Sequence, residues 1–397
     1  MADGQALMGV ATTRSLERVA AALGVLDAAP LRFQPADDLP QGGVLCALPA
    51  LLALGLLRHT DRHFVWPAGY YSMESIFVLL ACLALARVPS LEQVRYQPPG
   101  EWGKLMGLDR IPEVKTLRDK LGILGDNVER TAAWAAQMAR DFMHGNEQAA
   151  GVLLIDGHAR VYHGSLTQLP RRYISRERLC LRATTDYWGN ALDGAPFFCV
   201  TQPIDPGLQK TLETDMVPRL LSDVPGQPTA AELEADPLRH RFILVFDREG
   251  YSPDFFQRLK DQRIAILSYH KHPGPDWAVD EFQPTVVTRQ NGDTDTLALA
   301  ERGPRLSNGL WVRELRRRDP TGHQTSVLST AYRSPRDRSA AAMFGRWYQE
   351  NFFKHRRQPY GLDRLIEHGS SPFLRPPAWS TPPGGRWTAP CAAPPPS

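Results

Sequence analysis

Two short apolar runs, each closed by an aspartate, restrict the fold of this 397-residue chain more than any other feature. The first is Gly151-Val152-Leu153-Leu154-Ile155-Asp156-Gly157-His158, and the second is Arg241-Phe242-Ile243-Leu244-Val245-Phe246-Asp247-Arg248-Glu249-Gly250. Both are too short for a typical helix. Unbroken branched and aromatic residues suit central strands covered on both faces. A strand of that kind has little room for a charge except at its end. Laid side by side, the two strands bring Asp156 and Asp247 to one edge of a sheet, where their repulsion is relieved by protonation or by a cation. Oxygen donors with no Cys or His cluster nearby point to a hard divalent ion, Mg2+ or Mn2+.

A third stretch, Ser334 to Leu365, reads as one helix with Ser334 as N-cap and Pro335 at the first helical position, ended by Pro359 and Gly361. Along it Met343, Arg346, Glu350, Lys354 and Arg357 recur at spacings of three and four, so they share a face. One carboxylate thus sits in a cationic stripe. In an isolated helix, i,i+4 pairs among Arg346, Glu350 and Lys354, each worth ~0.3 kcal/mol, would explain the stripe. The two upstream aspartates make Glu350 a candidate third member of an acidic site instead.

Asp156, Asp247 and Glu350 in that order, with Arg346-x-x-x-Glu350 and a basic residue seven positions on, resemble the DDE transposases of bacterial insertion sequences. The branch concerned carries Y-x-x-R-x-x-x-E-x-x-x-x-x-x-K; here Met343 stands at the Tyr position and Arg357 at the Lys position. The stretches IDGHARVYHG, LPRRYISRERL, TTDYWGNALDG, FDREGYSP and ENFFKHRRQPYGLDRL are also similar to that branch, over roughly Ser15 to His368. The resemblance implies an α/β, ribonuclease H-like catalytic domain with a β-rich insertion, preceded by a mostly α-helical N-terminal domain. It implies that Asp156, Asp247 and Glu350 hold two Mg2+ or Mn2+ ions. The implied activity is cleavage and strand transfer at the ends of an insertion sequence. The implied partners are double-stranded DNA, as terminal inverted repeats and target, and a second copy of the chain in a DNA-assembled homodimer. Arg248, Arg346, Lys354 and Arg357 are then candidates to hold phosphates, with Arg171 and Arg172 of the basic loop Leu169 to Arg178 beside them. Two alternatives stay open: a nuclease on the same fold without strand transfer, and a DNA-binding relic without activity.

The net charge of +3 is too small to imply a polyanionic partner, but its distribution is informative. Fourteen Lys and Arg face seven Asp and Glu between Glu301 and His368, whereas Thr201 to His240 has three basic residues against seven acidic. A basic cluster attracts a phosphate backbone by counterion release, and it is equally what a solvated basic face looks like. The apolar runs Val44 to Leu57 and Ile76 to Ala86 fall short of the ~20 residues of a membrane span, so they read as core helices. Five scattered cysteines without C-x-x-C spacing, and no visible targeting segment, fit a reducing cytoplasm.

In chain order, residues 1–150 read as helical, with Ser15 to Leu26 a short amphipathic helix capped by Ser15. Gly107 to Leu124 suits either a DNA-reading helix-turn-helix or a plain bundle. The catalytic domain spans 151–368. Within it, Val152 to His158 pairs across a tight turn with Arg160 to His163, and Asp193-Gly194 makes a type I′ turn between Leu181–Ala191 and Pro196–Thr201. Leu208 to Leu221 is a helix. A β-rich insertion occupies about 270–324, with strands near Thr285–Arg289, Thr296–Ala300 and Leu310–Leu315, before Val327–Thr330 returns to the sheet. His158 and His163 read as partly exposed hairpin positions and Asp186 as a surface partner of Arg182. Residues 369–397, with nine prolines and no acidic residue, read as a disordered tail.

Overall fold

The computed structural model describes residues 14–37, 39–162, 169–174, 177–202, 204–289, 292–344 and 353–354. They fall into two compact units, one within 1–141 and the other beginning at Phe142.

Among the described residues the first unit contains helices and 3-10 turns. Its core gathers Ile76, Leu79, Trp102, Ile111 and Leu117. Met73–Leu85 starts where the sequence predicts a helix, because the Ser72 side chain accepts the N–H of Ser75. The predicted core helix Val44 to Leu57 is instead a 3-10 turn, Gly42–Ala47, followed by the short helix Leu48–Ala53. Ser15 is the first residue of helix Ser15–Ala22 rather than its cap, which is Arg14 and makes no side-chain cap bond. Arg18 turns inward onto Asp109, donating from Nε at 2.7 Å, while Leu16 and Val19 face out. A bidentate ion pair with a buried carboxylate, which Tyr70 also contacts at 2.7 Å, decides the orientation here. No helix among the described residues is long and apolar enough to cross a membrane.

The second unit is built on a ten-stranded mixed sheet. Its strands are β1 (Val152–Val161), β2 (Arg171–Ile174), β3 (Leu179–Asn190), β4 (Pro196–Gln202), β5 (Ile243–Phe246) and β6 (Ala265–Tyr269). They are followed by β7 (Gln283–Thr288), β8 (Thr294–Arg302), β9 (Arg313–Arg318) and β10 (Gln324–Ser329). The order is β2-β3-β1-β5-β6-β10-β9-β8-β7, with β4 also on β3. β1, β5 and β6 are mutually parallel, and Leu153, Leu154, Ile155, Leu244, Val245 and Phe246 are fully buried, as their unbroken apolar runs predict.

Several local expectations change. β1 is one continuous strand through Val161, because β3 pairs with it from Leu154 to Val161 and leaves no turn at Ala159. The basic loop contains strand β2, paired with β3. In the β3–β4 hairpin only Gly194 takes a positive φ, 88°, and Asp193 does not, so the connection is not type I′. Gly194 donates to Ala191 O and Ala191 to Ala195 O, the pattern of a turn closed by a glycine bulge. In the insertion, β9 lies three residues beyond its expected start, since Leu306 and Leu310 close a tight loop ahead of it.

Helix Leu208–Thr211 continues through a π turn, Leu212–Met216, into Val217–Asp223, burying Leu208, Leu212, Met216 and Leu220. On the sheet, helix Arg336–Phe344 sets Ala342 and Met343 against Leu154, Val245, Leu267 and Val327. Its Ala340 reaches Val287, Leu299 and Leu315 of the insertion strands.

Candidate active site

The register of two parallel strands positions the aspartates. Val152 pairs with Ile243, Leu153 with Leu244 and Leu154 with Val245. Two residues further along each strand, the same register sets Asp156 level with Asp247. Asp247 keeps an extended backbone, φ −81° and ψ −176°, so the alternation of faces persists through it. Both carboxylates therefore project on the face that carries Leu154 and Val245, the face covered by helix Arg336–Phe344. Both are half-buried.

Local hydrogen bonds aim each aspartate. Asp156 Oδ1 accepts the N–H of Gly157 at 2.9 Å. Asp247 Oδ1 accepts the N–H of Glu249 at 2.9 Å, capping the 3-10 turn Arg248–Gly250, and Asp247 O accepts from Ser268 Oγ at 3.1 Å. Two glycines make room. A Cβ on Gly157 would meet the Tyr187 ring at 2.9 Å, and one on Gly250 would run into the ring of Phe246. Among the described residues no Lys or Arg forms an ion pair with Asp247. Hard oxygen donors converging at the open end of a sheet fit a divalent cation. No group of three or more His, Cys, Asp or Glu among the described residues is arranged to hold a metal, and Glu350 lies outside them.

Described residues on either side of Glu350 in sequence lie on the same face as the aspartates. Met343, seven residues before it, is fully buried in the cluster with Leu154 and Val245. Phe353, three residues after it, is buried against β1 and β3. Its ring stacks on His158 with centroids 4.9 Å apart and planes 8° from parallel, and meets Trp188 edge-on at 6.3 Å. His158 follows Asp156 by two positions, and Trp188 is the ladder partner of Asp156.

The cationic candidates separate by environment. Arg248, Lys354 and Arg171 are exposed. Arg172 is engaged with Asp205, which also accepts from Tyr187 Oη at 2.6 Å and from the N–H of Gly207 at 2.8 Å. Burial by itself would raise the Asp205 carboxyl, but these partners outweigh it and hold it below the ordinary carboxylate value. Burial and the bond to Asp205 push the Tyr187 phenol well up. Arg346, Arg357 and His163 lie outside the described residues, as does the tail.

Two residues that the sequence left on the surface prove buried. His158 is under Phe353 rather than on a hairpin edge. Asp186 pairs with Arg160, at 2.7 Å, and with Thr201 Oγ1, also at 2.7 Å, rather than with Arg182. An antiparallel β1–β3 register would have revealed both, since it sets His158 opposite Asp186. A further buried polar group lies on the opposite face. Glu314 Oε1 accepts from Arg316 Nε at 2.8 Å and Ser326 Oγ at 2.7 Å, with His270 Nδ1 3.7 Å away. His270 stacks on Tyr251, just past the Asp247 turn. A cleft of about 850 Å³ opens beside Val152 and Ile243 at the beginnings of β1 and β5, and neither aspartate lines it.

Residues 9–373 match a family described as "Transposase protein". The chain belongs to this transposase family. No curated protein matches it. Among solved structures it is similar to the cryo-EM structure of the piggyBac transposase synaptic complex with hairpin DNA, at 10% identity and a TM-score of 0.37. That similarity covers 77% of this chain and 63% of the other, so the chain spans less than two thirds of that neighbour.

Proposed function

We propose that the second unit is a ribonuclease H-like DDE catalytic domain that cleaves DNA at the ends of an insertion sequence and transfers the strands to a target. Asp156, Asp247 and Glu350 are its metal-binding carboxylates. The observation that carries this reading is the β1–β5 register, which sets two aspartates level on neighbouring parallel strands and on one face. The strand order β4-β3-β1-β5-β6, antiparallel on one side of β1 and parallel on the other, supports a ribonuclease H-like core. Family membership supports DNA as the substrate.

In this reading Asp156 and Asp247 would both bind Mg2+ or Mn2+, and Glu350 would complete the set. Two such ions, when bound, activate a water or DNA 3′-hydroxyl and offset charge on the leaving oxygen. The 3-10 turn fixes the Asp247 carboxylate, and Gly157 fixes that of Asp156, so neither must reorganise as charge develops on the phosphate. Arg248 and Lys354 are exposed and available to flanking phosphates, with Arg346, Arg357 and Arg171 as further candidates. Arg172, the remaining candidate, is half-buried and engaged with Asp205. A homodimer assembled on paired element ends would present two such sites.

The test is manganese-dependent cleavage of a plasmid carrying the gene's own flanking DNA, by wild type and by Asp247→Ala. Nicking at an element boundary by wild type alone is the expected result. Two inert proteins that still bind the DNA would replace this reading with a catalytically silent DNA-binding relic.

A further inference from the structure

We propose that Tyr251 and His270 are positioning residues that brace the Asp247 turn from the face opposite its carboxylate. The inference rests on the proposed function, because it takes Asp247 as a metal ligand.

Both ends of the turn pack on one ring. Phe246 enters the turn, Tyr251 leaves it, and the fully buried Phe256 meets both, with centroids 6.1 and 5.7 Å away. Between them Asp247 Oδ1 accepts the N–H of Glu249, and the turn is closed by Gly250 N–H to Asp247 O and Tyr251 N–H to Arg248 O, both at 3.2 Å. The carboxylate keeps that fixed partner only while Tyr251 holds the turn shut. Tyr251 is in turn held from several sides. Gln209 Nε2 donates to its carbonyl at 3.2 Å, the exposed His272 meets its ring edge-on at 5.9 Å, and the His270 ring stacks on it at 5.6 Å, 22° from parallel. His270 comes from β6, two residues past Ser268, the ladder partner of Phe246, which places it on the face opposite Asp247. Its backbone N–H donates to Ser326 O at 3.0 Å, and its Nδ1 lies 3.5 Å from Ser326 Oγ and 3.7 Å from Glu314 Oε1. Ser326 and Arg316 both donate to that Glu314 oxygen. Burial, and then the Glu314 charge, push the Tyr251 phenol up, so the carboxylate is felt across the imidazole. Glu314 and Arg316 belong to β9, and the insertion thereby reaches the Asp247 turn through one stacked pair. A stack with one ring seated on Phe256 and the other fixed to β10 is the kind of supporting layer that holds a site carboxylate in place.

The experiment takes two readouts on the full chain. Hydrogen exchange of residues 248–251 reports the turn without any metal, and electron paramagnetic resonance measures Mn2+ affinity without turnover. His270→Ala and Tyr251→Ala should each speed exchange in the turn and weaken Mn2+ binding about tenfold, as loss of a supporting partner does at metal sites. Tyr251→Phe keeps the ring and should match wild type in both. In a Tyr251→Ala background His270→Ala should cost nothing further, because its effect passes through Tyr251. Wild-type exchange and affinity in His270→Ala would overturn the inference, and so would fewer Mn2+ sites at wild-type affinity, which marks loss of folded protein. Asp247→Asn separates the two levels. If it binds Mn2+ as tightly as wild type, the metal site itself is wrong, whereas a loss there with none in His270→Ala removes only the brace.

Discussion

Replacing Glu314 by Gln tests whether the buried polar group behind the Asp247 turn stabilises the sheet unit. Burial alone would raise this carboxyl, but the neighbouring His270 and the bonds from Ser326 and Arg316 outweigh it and hold it at about 2, against 4.5 ordinarily. That gap, at ~1.4 kcal/mol per pH unit, corresponds to about 3 kcal/mol. A folded-state value below the unfolded one gives stability that is fully present above about pH 5 and is lost as pH falls toward 2. The structure supplies a second route to the same size. Gln keeps an oxygen for Ser326 but leaves Arg316, 2% exposed, without its counter-charge, and breaking a buried pair from one side costs roughly 3–5 kcal/mol. Urea unfolding of the sheet unit should therefore show the variant about 3 kcal/mol weaker at pH 7, with the difference narrowing by ~1 kcal/mol at pH 3.5. A difference below ~1 kcal/mol at pH 7, or one that does not move between the two pH values, would refute the reasoning.

Met343→Ala should destabilise the sheet unit by roughly 2–5 kcal/mol in the same assay, because the side chain is fully buried among Leu154, Val245, Leu267 and Val327. Gly250→Ala should cost about 1–3 kcal/mol and also weaken Mn2+ binding, since its Cβ meets the ring of Phe246, itself fully buried, and the turn capped by Asp247 must move. Unchanged Mn2+ affinity in a destabilised Gly250→Ala protein would separate the turn from the site.

How much the sequence reveals depends on whether burial leaves an apolar trace. β1 and β5 are legible because both faces are covered, so their residues are uniformly apolar and the terminal aspartates stand out. β9 was displaced because its residues are Arg313, Glu314, Leu315, Arg316, Arg317 and Arg318. Its burial is achieved by ion pairing on one face, and by Arg317 against the Phe344 ring, with one apolar residue, Leu315. Charge pairing between distant strands leaves no period in a single sequence. The same limit hid Asp186 and His158, whose partners Arg160, Thr201 and Phe353 are identified only by register and tertiary packing. Helix Ser15–Ala22 shows the converse: its apolar stripe is real, but a buried Asp109 draws the charged face inward.

The insertion strands are not a detachable appendage, and their removal tests this. β10 pairs with β6 on one side and β9 on the other, so the insertion continues the core sheet through a shared strand. Helix Arg336–Phe344 bridges the same boundary, with Ala342 and Met343 on core strands and Ala340 on Val287, Leu299 and Leu315. Excising residues 281–318 behind a short turn would leave β10 as an exposed edge and strip one flank from the helix. That helix precedes Glu350, so loosening it should reach the proposed site without touching an aspartate. Hydrogen exchange at the amides of residues 336–344 should then be faster than in the intact chain, while that of β1 and β5 should be unchanged. Helix amides that stay protected after excision would mean that the core contacts of Met343 suffice, and that the insertion serves something other than holding this helix.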